Sequence, residues 1–500
     1  MLFNEELFIT LFLPIWLMAF GLIIPRSKRL VAHSIIIVAS LIFYSAYDYT
    51  LTYVLLLSIA INYITCQRIR SSLYAKRYLY LNLAFNIGTL AYFKYSCFLL
   101  ENAALLLALK PTVCDVTLPL GISFFTFQQI AFCVDSYRNR NQPVHASSYM
   151  AFVTFFPHLI AGPIVRRKDL YEALDNESYR LSRPNLEIGL ACFLYGFLQK
   201  VMLADPLAII VNASFTTANE RVLTFAESIL ASFAFTGQIY FDFNGYSTMA
   251  IGLAWMIGIA LPSNFETPYR SRSITDFWKR WHITLGSFFR DYVYIPLGGN
   301  QHGLHRQCLF LLITMLLCGL WHGAGWTFIL WGVLNGIALV TALLYRRYVP
   351  LPIPALLGWL LTFVFVVMGW VLFRAESFAS AINVFVGFLA WDTQTITAFS
   401  ESYKQAIRQI IPSSFTTEAI LLPQELIQTI ACTHVAFAML AALLLPSSTH
   451  IIMLYDRLVH SGKQQAYILR IALAVISAVV LAKLLQIQSY TAVNFIYFNF

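Results

Sequence analysis

His322 stands inside LLCGLWHGAGWTFILWGVLNG (316–336), an apolar run with no acid or base near it in sequence. An ionisable residue in such a run is costly at membrane depth and points first to function. An imidazole, with an ordinary pKa of about 6.5, takes and returns a proton at neutral pH. As a general base it contributes roughly 10²- to 10⁴-fold. That chemistry suits deprotonation of a sugar hydroxyl as it attacks a thioester carbonyl, and an activated thioester needs no metal. Gly323 and Gly325 leave room for a substrate beside the ring, and Trp326 falls one helical turn from His322 on the same face. A buried histidine that bonds a carbonyl across helices is the alternative, and it stays open here.

His282 lies in the second informative stretch, 262–306. Ser273-Ile-Thr-Asp276 has capping-box-like spacing, which predicts a helix starting just after Ser273. Trp278, Trp281, Leu285, Phe288 and Phe289 then recur at about helical spacing, with Lys279, Arg280 and Arg290 off that stripe. The pattern predicts a basic amphipathic helix lying at the cytosolic interface, with His282 at the edge of its apolar face. Asp242, in QIYFDFNGYSTMAIG, is a carboxylate at the end of an apolar span, a place where acids pair with a cation or cap a helix. It joins Trp321, Trp326 and Asn335 as a candidate substrate contact. Lys94, Lys200 and Asp205 read as snorkelling or paired residues. HExxH, Walker-type loops and the GxSxG elbow are missing, so no metal ligand set and no standard hydrolase or nucleotide site is predicted.

The elements that must carry these residues are membrane helices. Of 500 residues, 59% are hydrophobic and 11% charged, against about 25% charged in soluble domains. A soluble chain could not hide that much apolar surface, whereas a bilayer removes the need. The net charge of +9 does not indicate nucleic acid. Most of the 33 Lys and Arg sit in short links between apolar spans, as at Arg26–Arg29, Arg68–Arg77, Arg138–Arg140, Arg166–Arg183 and Arg270–Arg306, which is a positive-inside pattern. The eight cysteines lack CxxC spacing and read as small core residues.

The first apolar run, Leu7 to Ile24, has Glu5 and Glu6 before it and basic residues after it, the reverse of a signal peptide, so its N-terminus is expected outside. Further runs fall near 30–46, 49–65, 78–100, 116–134, 149–165, 187–211, 223–241, 245–261, 308–344, 353–373, 428–446 and 466–488. About eleven full crossings are expected, at the usual ~20 residues each. The run at 149–165, FFPHLIAGPIVRR at its end, has basic residues on both sides and breakers within, and should dip in and return. Residues 392–427, with Asp392, Glu401, Lys404, Arg408 and Glu418, read as an extramembrane loop. No repeat divides the chain, which is expected to be one polytopic domain over 1–500.

DFNGYSTMAIG, NFETPYRSRSITDFWKRWHITL, FRDYVYIPLGGN and WHGAGWTFILWG resemble the signature blocks of membrane-bound O-acyltransferases, in order. With FFPHLIAGPIVR, LFRAES and the terminal FIYFNF, the resemblance is to the bacterial branch that holds the alginate O-acetyltransferase membrane subunit and the teichoic acid D-alanyl transferase. It spans roughly 80–499, with a signature core near 80–377 and C-terminal helices over 378–500. Asn244 stands where related blocks often carry Ser. The resemblance implies helices around a central tunnel in the bacterial inner membrane, His322 as the catalytic residue and His282 assisting. It implies a cytosolic thioester donor, acetyl-CoA for acetylation, with no bound cofactor. Periplasmic acetyltransferase-type partners would complete transfer to an exported polysaccharide such as alginate. D-alanyl transfer to a lipid-linked polymer, and a transporter for a polar substrate, remain as alternatives at this point.

Overall fold

The computed structural model describes residues 1–23, 29–47, 49–109, 114, 116–390 and 424–460, and among them it forms helices, turns and loops without a strand. Arg26 and Lys28, most of the polar stretch at 392–427, the run at 466–488 and the FIYFNF ending lie outside the described residues.

In chain order the helices are α1 (Phe8–Ile23), α2 (Arg29–Ser45), α3 (Thr52–Ser71), α4 (Ala75–Leu106), α5 (Ile122–Arg138), α6 (Ala146–Thr154) and α7 (Arg183–Glu220). There follow α8 (Phe225–Met256), α9 (Ile274–Arg280), α10 (Ile283–Phe289), α11 (Leu304–His322), α12 (Trp326–Tyr348), α13 (Ala355–Arg374), α14 (Phe378–Gly387), α15 (Gln424–Leu444) and α16 (Ser448–His460). Six of the described helices are long and apolar enough to cross a membrane, or up to seven if the bent pair near 431–457 is one span. The eleven crossings expected from hydropathy are thus not confirmed among the described residues. Several apolar runs fold instead as short helices or as broken backbone enclosed by protein. The run at 149–165 is such a case: α6 stops at Thr154, the chain turns at Phe155, and every residue from Ala151 to Val165 is buried. Outward faces stay greasy, as with Leu11, Ile15, Met18 and Leu22 on α1, which suits contact with lipid.

α8 is the central pillar. Thr224 and Glu227 form a capping box at its start, with Arg221 paired to Glu227 at 2.8 Å. Its 32 residues extend roughly 48 Å, and nearly all of them are buried. Small residues let α7 press against it: a Cβ on Gly196 would stand 2.4 Å from the Gly245 carbonyl, and one on Gly189 2.5 Å from that of Gly252. On the other side of the molecule, α3, α4 and α5 are joined by buried amides. Asn82 and Asn86 both donate to Asn62 Oδ1, at 2.8 and 2.7 Å, and Gln129 donates to Ser58. In lipid surroundings such polar bridges fix helix register.

Two cysteines depart from the core-residue expectation. Cys97 and Cys114 form a disulfide, with Cα atoms 5.4 Å apart. That separation lies within the range a disulfide spans. Cys66, Cys133, Cys192 and Cys318 are free and buried.

Candidate active site

The run at 308–344 is not one helix. It breaks at Gly323-Ala324-Gly325 into the antiparallel pair α11 and α12, with Gly323 and Gly325 in extended conformation. The pair closes tightly because Gly319 faces Gly332: a Cβ on Gly319 would lie 2.9 Å from the Gly332 Cα. His322 is therefore the last residue of α11, at the apex of a hairpin, and is 2% exposed. The break corrects the position expected for Trp326. It does not share a helical face with His322 but opens α12, is 54% exposed, and donates from its indole to Asn102 at 2.9 Å. Gly323 does not leave open room, since a Cβ there would meet the Phe328 ring at 2.2 Å, whereas one on Gly325 would come no nearer to it than 3.4 Å.

The helix predicted after Ser273 starts as expected, with the Ser273 hydroxyl accepting from Asp276 N at 3.1 Å. It then ends at Arg280. Trp281 is extended and His282 takes a left-handed conformation, φ 41° and ψ 55°, before α10 begins. A bulky residue in that region is uncommon and marks a position its surroundings dictate. The stripe of Trp281, Leu285, Phe288 and Phe289 is buried in protein, which corrects the expectation of a surface-lying amphipathic helix. Tertiary packing used the apolar face that the bilayer interface was expected to take.

These two breaks bring the histidines together around one indole. The Trp321 ring lies 5.9 Å from that of His282 and 4.9 Å from that of His322, centre to centre. Phe243 of α8 stacks edge-on to His282 at 4.6 Å, while Trp331 and Phe373 flank His322 at 5.2 and 4.9 Å. Beyond them Trp370 stacks on Trp331 at 5.9 Å. Asn335 is buried one turn after Trp331 and donates to its carbonyl at 2.9 Å. Asp242 sits elsewhere on α8, its carboxylate 2.7 Å from the Lys200 ammonium, which also binds Asp205 at 2.5 Å. Trp331, Phe373 and Trp370 were not singled out from sequence, because aromatic residues crowd every apolar run and only the fold selects these.

Lys94 is the other residue whose place sequence did not reveal. A π-turn at Ala91–Tyr95 inside α4 points it at the hairpin apex, where its ammonium donates to the carbonyls of Trp321 and His322. It does not snorkel. Its signal was a lone cation in AYFKY, inside the apolar run at 78–100.

At the opposite end of α11 the chain carries charge. Arg166 binds Asp291 at 2.6 Å, and Tyr292 donates to Asp135 at 2.8 Å, tying the α10–α11 link to α5. Burial pushes the Asp291 carboxyl up, but the Arg290 hydrogen bond and the Arg166 charge outweigh it and hold it below its ordinary value. The link is thus made at neutral pH and is lost as pH falls.

Buried histidines at the broken ends of apolar helices, in an aromatic enclosure, mark the candidate site of a helical membrane protein. Residues 36–382 match the profile of MBOAT, the membrane-bound O-acyltransferase family, and the chain belongs to that family. It is 35% identical over 443 residues to a peptidoglycan O-acetyltransferase of Helicobacter pylori, covering 82% of this chain and 84% of that one. It is 38% identical over 401 residues to a probable alginate O-acetylase of Pseudomonas putida, covering 77% and 79%. A teichoic acid D-alanyltransferase of Bacillus subtilis is 29% identical over 284 residues, 52% of this chain and 69% of that one. The protein is a membrane O-acyltransferase.

Proposed function

We propose that this enzyme moves an acetyl group from a cytosolic thioester, acetyl-CoA, across the bacterial inner membrane to a hydroxyl acceptor on its outer side, for O-acetylation of an exported polysaccharide, with His322 as general base. The observation that carries the reading is the burial of His322 and His282 on either side of Trp321, at helix breaks inside an aromatic enclosure. An ionisable pair held there has a high cost and needs a chemical reason.

The acceptor hydroxyl oxygen attacks the acetyl carbonyl carbon. His322 takes the hydroxyl proton as the new C–O bond forms. The C–S bond breaks, and the proton passes to the departing sulfur, so acetyl ester and free thiol leave and the imidazole returns to its starting state. His282 assists from the other side of Trp321, and Trp321 and Asn335 line the acyl position. Asp242 contributes through its pair with Lys200, by holding α7 to α8, in place of the substrate contact expected from sequence.

Acetyl is favoured over D-alanyl because the relatives named as acetylating cover about four-fifths of both chains, while the D-alanyl relative covers about half of this one. Their names give two different glycans, so a glycan hydroxyl is the shared final destination of the acetyl group. A partner protein outside completes transfer to polymer.

His322→Gln keeps volume and hydrogen bonding but cannot serve as the base. Acetyl transfer by the Gln variant, at matched folded levels in membranes, should fall roughly 10²- to 10⁴-fold, equal to about 3–5 kcal/mol of transition-state stabilisation. Acetyl esters on the cell's glycans should disappear with it. Turnover near wild type would remove His322 from the chemistry.

A further inference from the structure

The last four carbonyls of a helix have no partner within it. In water they are solvated, but at membrane depth each is costly unless another group donates to it. α11 ends at His322 with this problem, and α4 answers it. The Lys94 ammonium donates to the Trp321 and His322 carbonyls, and the adjacent Tyr95 hydroxyl donates to the Leu320 carbonyl at 2.5 Å. Three consecutive carbonyls, ending on the histidine itself, are held by two consecutive side chains. The same ammonium lies 5.8 Å from the Trp321 ring centre, over its face.

The sequence places these groups at matching depth. His322 closes a helix of 19 residues, roughly 27 Å from its start, and Lys94 is as far along α4 from Ala75. The π-turn at Ala91–Tyr95 underwinds α4 there, so Lys94 and Tyr95 both reach one neighbour. Such turns cost helix stability and recur at functional positions. A cation at a helix C-terminus is also favoured by the helix dipole. A half-buried lysine is nevertheless an expensive way to finish a helix at this depth, since a short polar side chain could have capped it.

We propose that Lys94 and Tyr95 are positioning residues for acyl transfer: by gripping the last three carbonyls of α11 they fix the backbone from which the His322 and Trp321 rings project. The inference rests on His322 being the general base. Neither side chain touches substrate. Their effect passes through the angle of the imidazole, and a displacement of about 1 Å at such a group can cost on the order of 10²-fold in rate.

The test is a kinetic cycle in the full-length protein, with kcat and the KM for acetyl-CoA measured per folded molecule. Lys94→Met keeps the stem and removes the charge and donors. It should lower kcat roughly 10- to 100-fold with KM unchanged, and should add no further loss in a His322→Gln background. Full kcat in Lys94→Met, with His322→Gln inactive, overturns this inference and leaves the proposed function standing. So does an equal fractional loss in both backgrounds, which would make Lys94 act independently of His322. Should Lys94→Met fail to fold, Tyr95→Phe decides. It loses one of the three donors and should lower kcat several-fold at constant KM, and wild-type kcat in that variant overturns the proposal. An active His322→Gln removes the base itself, and the positioning role with it.

Discussion

Lys200 holds two carboxylates at once, Asp205 at 2.5 Å and Asp242 at 2.7 Å, and all three side chains are at most 2% exposed. The cluster links the π-turn at Gln199–Ala204 in α7 to the middle of α8. Buried charges differ from surface ones in that removing a partner leaves an uncompensated charge. The consequences are unequal for the three residues. Asp242→Asn leaves Lys200 and Asp205 paired, and should cost about 1 kcal/mol. Lys200→Met leaves two carboxylates facing each other and should cost about 3–5 kcal/mol. Thermal denaturation of the purified protein, followed by loss of monodispersity, would rank the two variants. A milder effect for Lys200→Met than for Asp242→Asn would contradict a cation shared between the two acids.

At the scale of elements, the site depends on how closely α7, α8, α11 and α12 approach. Lipid gives little hydrophobic drive between helices, so close backbone packing has to supply the cohesion. Gly252 and Gly196 are the test positions on the α7–α8 contact. A Cβ on Gly252 would stand 2.6 Å from the Gly189 carbonyl, and neither backbone can yield without separating the helices. Gly252→Ala should therefore destabilise by about 1–3 kcal/mol. Gly88, on the exposed face of α4, has nothing within 4 Å of such a Cβ. There the same substitution should be neutral or stabilising by about 0.5–1 kcal/mol, from helix propensity alone. Equal melting temperatures for the two alanine variants would show that close approach is not what the α7–α8 glycines provide.

At the scale of the whole molecule, the disulfide bears on orientation. Disulfides persist on the oxidising side of a membrane. Cys97 lies near the far end of α4 from Lys76 and Arg77, which mark the cytosolic side by the positive-inside rule. On these two signals we predict an N-terminus outside and a cytosolic 262–306 segment. A maleimide applied outside intact cells should label Cys97 only after reduction, and should miss a cysteine introduced at Arg272. Efficient labelling at position 272 without permeabilisation would reverse the orientation.

The solvent, the element type and the candidate site residues were legible in the chain before it folded. Composition required a bilayer, the spacing after Ser273 set a helix start, and His322 stood out because an ionisable group costs free energy wherever an apolar run surrounds it, while His282 stood out only through the motif that holds it. Their motifs sufficed for the family as well. Only the tertiary structure decided where those helices stop. The breaks at Gly323–Gly325 and at His282 cannot be read from apolar spacing, because periodicity continues through both. Each break is held by non-local partners: Lys94 and Tyr95 on the carbonyls of α11, and Phe243 of α8 with Trp321 of α11 against His282. The same holds for Trp326, which periodicity put beside the imidazole and the hairpin turned away, and for Cys97 and Cys114. Local sequence reports the preference of each segment for lipid or water. Which segments are enclosed by protein depends on contacts between residues hundreds of positions apart, and those contacts assembled the site.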